Sequence, residues 1–427
     1  MNVQELKAAL HAGAYDKTFQ RLYPGCWEGQ RKRYLHIAEK FGERFGGERP
    51  VELYSAPGRS EIGGNHTDHQ QGRVLAAAVT LDAVAVCAKN DRNVIRIYSE
   101  GHGEERINLE KLEIVPAENG TTAALIRGIA ARLYELDLRF GGFDAYVSSD
   151  VLPGSGLSSS AAYEVLVGTI LNGLYNHGKM SPVLIAKVGQ FAENVYFGKP
   201  SGLMDQCASA VGDFCLIDFA DPGTPVVESI PCRPADYGYA LCLIDAGGSH
   251  ADLTDEYAAI PQEMCAVAKC LGQDVLGRTS EAEFYARLGE LRGKVSDRAL
   301  LRAMHFYGDN QRVLRQAAAL KEGDFQCFLA LVRESGRSSM DLLQNIYPAH
   351  KAEERSVSLA LALCARLLER DGAWRVHGGG FAGTVQAFVP VASLERFRKE
   401  IEKVFGAGAC HVLAVRPAGG VPVEAEA

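Results

Sequence analysis

The stretch Val151-Leu-Pro-Gly-Ser-Gly-Leu-Ser-Ser-Ser-Ala-Ala162 runs a Gly- and Ser-rich turn directly into an apolar segment, Tyr163 to Leu174, that reads as a helix. Gly154 and Gly156 admit backbone conformations closed to other residues, so successive N–H groups can point into one concavity. Ser158, Ser159 and Ser160 then fall at the helix start, where unpaired N–H groups and the positive end of the dipole attract anions. This reads as a phosphate cradle. It has neither the GxxxxGK[ST] spacing of a Walker loop nor the strand–GxGxxG pattern of a dinucleotide site. A Ser-capped, well-packed helix would share the same letters, so the reading needs companions elsewhere in the chain.

Two stronger motifs and one weaker one supply them. Ala56-Pro-Gly-Arg-Ser-Glu-Ile-Gly-Gly-Asn-His-Thr-Asp-His-Gln-Gln-Gly-Arg73 packs Arg59, Glu61, Asn65, His66, Asp68 and His69 between two strand-like runs. Convergent donors and acceptors on one rigid loop suit a polyhydroxylated ligand such as a sugar. A metal at His66-x-x-His69 with Asp68 is disfavoured, because neighbours on an extended loop seldom converge on one ion. Pro200-Ser-Gly-Leu-Met-Asp-Gln206 places Asp205 at the start of a short helix beside Gly202, as a cap or facing a cleft. Val376-His-Gly-Gly-Gly-Phe-Ala-Gly-Thr384 sets four glycines before an apolar strand and permits close approach of backbone to ligand.

The whole chain narrows the options. At 427 residues it exceeds one core and implies two or three domains. A net charge of −8, with no dense Lys/Arg run, argues against a nucleic-acid partner. No apolar run reaches membrane-spanning length, and Met1-Asn-Val-Gln-Glu-Leu-Lys lacks the features of a signal peptide, so a cytoplasmic protein is expected. Eleven scattered cysteines without CxxC spacing read as reduced thiols. The expected order is a helical lead-in (1–47), a first lobe (48–222) and a second lobe (223–427) opening after Asp221-Pro-Gly-Thr-Pro225. Strands are expected at 51–56, 81–88, 94–99 and 143–148, then at 239–245, 384–389 and 411–415. Helices are expected at 122–136 and 183–197, with a long helical region over 253–368. The architecture is α+β, with the ligand motifs where two lobes would face each other.

Taken together the motifs resemble those of the galactokinases, within the GHMP small-molecule kinase superfamily, from about residue 20 to Val415-Arg-Pro-Ala-Gly-Gly420. The sugar loop (56–73), the phosphate loop (153–161) and the Gly-rich loop (378–383) occur in the family's order, and Gly-Arg-x-x-x-x-Gly-x-His-Thr-Asp is the specific element. The resemblance implies a ribosomal-protein-S5-like N-terminal lobe and a C-terminal α+β lobe with the active site between them. It implies ATP as co-substrate, with residues Gly154, Ser155, Gly156, Leu157, Ser158, Ser159 and Ser160 around its phosphates. It implies Mg²⁺ held through Ser160 and Glu193, and Asp205 and Arg59 as the catalytic pair. Asn65, His66, Asp68, Gly202 and Tyr257 fall at positions that line the sugar. The implied reaction makes α-D-galactose 1-phosphate. Oligomeric state is not readable, with a monomer the simplest expectation.

The chain departs from the family at Gly64-Asn65-His66-Thr67-Asp68-His69, where Gly-Glu-His-Thr-Asp-Tyr is usual. Asn65 removes a negative charge near C6 of the sugar, so a C6 carboxylate would no longer be repelled. The galacturonate kinases carry His-x-Asp-His-Gln, as His66–Gln70 does here, which makes galacturonate the alternative substrate. A sugar sensor without catalysis is a further class, but it should show a damaged phosphate loop or lack the carboxylate. Ser158–Ala162, Arg59 and Asp205 are all present.

Overall fold

The computed structural model describes residues 1–151, 156–247, 253–351, 353–369 and 371–426. Three helices lead in: α1 (Val3–His11), α2 (Asp16–Leu22) and α3 (Gln30–Phe45). A reciprocal capping box between Asn2 and Glu5 starts α1, and α3 stops at Gly46. Their buried Leu6, Leu10, Phe19, Leu22 and Phe41 form one core with Val84, Val86 and Ala88 of the sheet that follows.

That sheet is built on β1 (Glu52–Gly63) and the long β2 (Arg73–Lys89). It continues with β3 (Val94–Ser99) and β4 (Gly103–Asn108), the helix α4 (Thr122–Glu135) and β5 (Phe143–Ser149). The helices α5 (Ser159–Asn176), α6 (Pro182–Phe191) and α7 (Met204–Val211) follow, then β6 (Phe214–Asp218) and β7 (Val226–Ile230). β2 pairs with β1 along one edge and with both β5 and β6 along the other. Only β3 and β5 run parallel; the remaining pairs are antiparallel. β2 reads as a near-continuous apolar run because both its faces are covered. Ala83, Ala85 and Cys87 pack under α4 to α7, while Leu75, Ala77 and Val79 meet the second lobe.

The second lobe begins with β8 (Tyr239–Asp245) and continues through α8 (Thr254–Cys270), α9 (Glu281–Ala286), α10 (Leu288–Arg292), α11 (Asp297–Glu322), α12 (Phe325–Ser338) and α13 (Ser356–Leu368). Then come β9 (Ala373–Val376), β10 (Thr384–Pro390), α14 (Leu394–Phe405) and β11 (Cys410–Leu413), giving a four-stranded sheet ordered β11-β8-β10-β9. The two-lobed α+β expectation holds. One boundary differs: Asp221–Pro225 joins β6 to β7, antiparallel neighbours of the first sheet, so that sheet extends past the expected break at 222. The chain also returns to it at the end, where β12 (Val421–Pro422) pairs with β1.

A buried ion cluster ties these returns together. Asp82 on β2 is fully buried; Arg33 of α3 donates to it at 2.5 Å, Arg416 at 2.6 Å and the Tyr23 hydroxyl at 2.7 Å. Burial opposes its charge, but the two guanidiniums outweigh burial and hold the carboxyl below the usual range. All eleven cysteines are free in this structure. No helix among the described residues is long and apolar enough to cross a membrane.

Candidate active site

The sugar-motif segment is less of a loop than its glycines imply. β1 runs on through Gly63, with its register to β2 slipping between Pro57 and Arg59 and again between Glu61 and Gly63. Such irregularities re-aim side chains. Arg59 is thereby turned onto α7, where its Nε donates to Asp205 Oδ1 at 2.7 Å and its Nη2 to Oδ2 at 2.6 Å. Its Nη1 donates to the Gly156 carbonyl, and the Arg59 N–H to the Leu157 carbonyl at 3.0 Å. One arginine thus locks the expected catalytic carboxylate to the phosphate turn.

Asp205 stands at the first turn of α7 and also accepts from the Ser158 side chain. Burial raises its pKa, but Arg59 outweighs burial and leaves the carboxyl below its ordinary value. Ser158 itself takes φ +56° at the start of α5, and no side chain caps that helix, so its first N–H groups stay available to an anion. Gly156 has φ +76°, and a Cβ there would lie 2.9 Å from His377 Nδ1, so only glycine suits the turn. Leu157 is fully buried, its carbonyl accepting from the Arg59 N–H. Gly154 and Ser155 lie outside the described residues.

Deeper along α5, Ser160 Oγ donates to Glu193 Oε1 at 3.2 Å. Glu193 is buried, and it accepts from Lys199 at 3.0 Å, Ser201 at 2.5 Å and Gln206 Nε2 at 2.9 Å. The same Gln206 nitrogen donates to Glu164 Oε2 at 2.9 Å, and burial pushes Glu164 well up from the usual carboxylate range.

Arg59, Glu61, His66, Asp68, Gly202 and Asp205 line a cleft of about 290 Å³ that Gly378 and Gly379 close from the second lobe. Larger hollows beside Trp374 (about 560 Å³) and Cys26 (about 450 Å³) join no such set. His66 sits at φ +58° and meets the Gly379 carbonyl through Nε2 at 3.0 Å. A carbonyl only accepts, so that nitrogen carries the proton and Nδ1 is left as an acceptor. Burial, helped by His69, pushes its pKa down to about 4, and the ring is neutral at physiological pH. Asp68 abuts Gly202 so closely that a Cβ on the glycine would lie 2.5 Å from its Oδ2. Among the described residues there is no group of three or more His, Cys, Asp or Glu that could hold a metal.

Two expected sugar contacts stand elsewhere. Tyr257 packs behind the Gly-rich turn, donating to the Gly380 carbonyl at 2.9 Å, and does not line this cleft. Asn65 is fully buried with its side chain spent internally. Its Nδ2 donates to Glu61 Oε1 at 2.9 Å and the Gly378 carbonyl at 2.8 Å; its Oδ1 accepts from Asn345 at 2.8 Å and Ser339 at 3.2 Å. The expectation that Asn65 itself meets the sugar is therefore corrected: it lies beneath the cleft and braces Glu61.

Sequence reading also missed a brace from the second lobe. Asp309 of α11 accepts the N–H groups of Gly64 and Asn65, both at 3.0 Å. His305, one turn earlier, donates to the Asn65 carbonyl at 2.9 Å. A polar pair four residues apart on an otherwise apolar helix face was the available signal.

With the geometry established, comparison with known proteins becomes informative. A galactokinase galactose-binding signature matches residues 39–89, and the GHMP kinase N-terminal domain matches residues 124–213. The galactokinase of Streptomyces coelicolor is 32% identical over 371 residues, covering 87% of this chain and 92% of its own. The chain belongs to the galactokinase family. A galactokinase of Actinobacillus pleuropneumoniae is likewise 32% identical, covering 85% of this chain and 91% of its own. In fold, the chain matches Lactococcus lactis galactokinase complexed with galactose at a TM-score of 0.75 and 24% identity, over 90% of this chain and 98% of that one. The Methanococcus jannaschii mevalonate kinase shares the fold at 0.61 and 16%, over 87% and 100%. The galactose-binding signature spans β1 and β2, and the GHMP domain spans α4 to α7 with Asp205, so the matched regions contain the cleft's principal groups.

Proposed function

We propose that this galactokinase-family chain is an ATP-dependent sugar 1-kinase that converts D-galactose to α-D-galactose 1-phosphate. The observation that carries the reading is the two-pronged Arg59–Asp205 pair, hooked to the phosphate turn and open to a cleft lined with sugar-binding chemistry. Phosphoryl transfer needs chiefly alignment and charge neutralisation. The anomeric hydroxyl attacks the γ-phosphorus, the bond to the β–γ bridging oxygen breaks, and ADP leaves. Asp205, ionised beside Arg59, is too weak a base to strip the hydroxyl beforehand; it orients the hydroxyl and takes its proton as the new P–O bond forms. Arg59 offsets negative charge growing on the transferred group, and the first N–H groups of α5 hold the phosphates. Neutral His66 accepts a sugar hydroxyl at Nδ1, while Asp68 and Gly202 shape the wall.

Mg²⁺ would be held at Ser160 and Glu193. Ser160 Oγ and Glu193 are hard oxygen donors in mutual contact, and the Lys199 ammonium now paired with the same Glu193 oxygen would give way to the ion. One carboxylate plus a hydroxyl, completed by ATP oxygens and water, is an ordinary Mg²⁺ set. Bound there, the ion would neutralise charge on the β- and γ-phosphates.

The test is ATP consumption coupled to separate sugars: galactose, galacturonate, N-acetylgalactosamine, glucose and arabinose. Preferred turnover of galactose is expected. Turnover of none, with both ligands bound, would replace the kinase by a sensor. Asp205→Ala should lower kcat at least about 10³-fold while ATP still binds; a near-wild-type kcat would remove Asp205 from the reaction.

A further inference from the structure

Glu61 is 5% exposed, yet it lines the cleft. One of its oxygens, Oε1, is fully engaged, accepting from Asn65 Nδ2 at 2.9 Å and from Arg375 Nη2 at 2.9 Å. The other has no hydrogen-bond partner among the described residues. Arg375 is completely buried, and Glu61 is its only ion-pair partner there; burial raises the Glu61 pKa, and the guanidinium opposes that rise and favours the charged form. The carboxylate is thus clamped from behind with a free oxygen in front.

Its position on β1 gives that oxygen a task. Arg59 and Glu61 are two residues apart on one strand, with unbroken pairing to Ala78, Ala77 and Ala76 between them. Side chains at that spacing share a face about 7 Å apart. Ser60 between them points away, bonded to Gln386 at 2.6 Å. Arg59 holds Asp205, where the anomeric hydroxyl reacts, so Glu61 stands roughly one pyranose ring further along. We propose that Glu61 is the specificity-determining sugar ligand of this chain, its free oxygen accepting a hydrogen bond from a hydroxyl remote from the anomeric carbon and its charge excluding hexuronates. The proposal rests on the galactose reading and deepens it. The negative charge that Asn65 removes from its own position is supplied four residues earlier, with Asn65 as its brace. Asp68 and Asp205 line the same cleft, and its two cations, Arg59 and Lys199, are already paired with Asp205 and Glu193, which adds to the repulsion of a uronate.

The experiment measures kcat/KM for galactose, its 2-, 3-, 4- and 6-deoxy forms and galacturonate, on wild type, Glu61→Gln and Glu61→Ala. A hydrogen bond to a charged acceptor predicts that one deoxygalactose is about 10- to 100-fold poorer with wild type. In Glu61→Ala that one penalty should shrink below about 3-fold while the others persist. In Glu61→Gln the galacturonate-to-galactose ratio should rise at least about 10-fold. Glu61→Gln keeps an acceptor toward Asn65 and Arg375 but removes the charge opposite Arg375. The folding of each variant is therefore checked by denaturation, and the wild-type penalties carry the test if a variant fails to fold. Unaltered penalties in the variants would overturn the proposal, as would a wild type indifferent to every missing hydroxyl, a result that needs no variant. If wild type does not turn over galactose at all, the galactose reading falls instead, and the two failures are distinguishable.

Discussion

His66 shows how much one half-buried ring controls. Its proton is committed to the Gly379 carbonyl, and burial moves its pKa down to about 4. Between pH 5 and 8 the ring does not change charge, so the pH profile of kcat/KM should show no inflection near 6.5, the ordinary histidine value. An inflection there would mean that His66 is wetter than this geometry allows. Asp205 adds no limb in that range either, because its pKa is depressed. Asn65 is constrained differently. Replacing it by Glu would set a second carboxylate against Glu61 in a place with no exposure and remove the donor that braces Oε1. Asn65→Glu should therefore lose about 3 kcal/mol or more of stability, read by chemical denaturation. Stability near that of wild type would show that the buried network can rearrange.

At the scale of elements, α7 is the piece to disturb. Successive residues on it face two ends of the cleft, Asp205 bonded to Arg59 and Gln206 reaching back to Glu193 and Glu164. Gln206→Ala leaves two buried carboxylates facing each other without their shared donor. With Mg²⁺ held at Glu193 as proposed, the Mg²⁺ concentration for half-maximal rate should rise about 10- to 100-fold, with KM for galactose little changed; an unchanged Mg²⁺ dependence would detach Gln206 from the proposed ion site. The sequence made α7 and α5 legible, because glycines and prolines punctuate them and apolar periodicity fills them. It also placed Arg59, Asp205, Ser160 and Glu193 on the elements the structure brings together. The extension of β1 through Gly63 was not legible, since a strand buried on both faces and interrupted by slips in register loses its alternation. Asp309 and Arg375 were hidden for another reason: they meet the sugar segment from more than two hundred residues away. β4, β6, β7, β9 and β12 were missed, strands of two to six residues whose pairing is decided by their neighbours.

For the whole molecule, acid should act in two stages. His66, His305 and His377 are each held below the ordinary histidine value by burial. The unfolded chain therefore binds protons that the folded chain refuses, and stability falls as pH drops below about 6.5 toward 4, by up to about 4 kcal/mol per unit if all three respond. The depressed carboxyls Asp82, Asp205 and Asp309 come next: their contribution, complete above about 4, is lost as pH falls through their lower folded values. Denaturation curves from pH 7 to 4 test the first stage, and a flat stability across that range would contradict it. Asp82→Asn should cost about 3–5 kcal/mol at neutral pH, since it strands the buried Arg416 guanidinium. Arg416 and β12 have one more implication, in time rather than space. The ribosome makes β1 early, but its outer edge is covered only when Val421 and Pro422 arrive, after the whole second lobe. Until then a nascent chain carries an open strand edge and an Asp82 short of one counter-charge, a species suited to wrong pairings. Premature stops near residue 412 should therefore yield insoluble product rather than a slightly shortened enzyme, and demand for chaperones should peak late in synthesis.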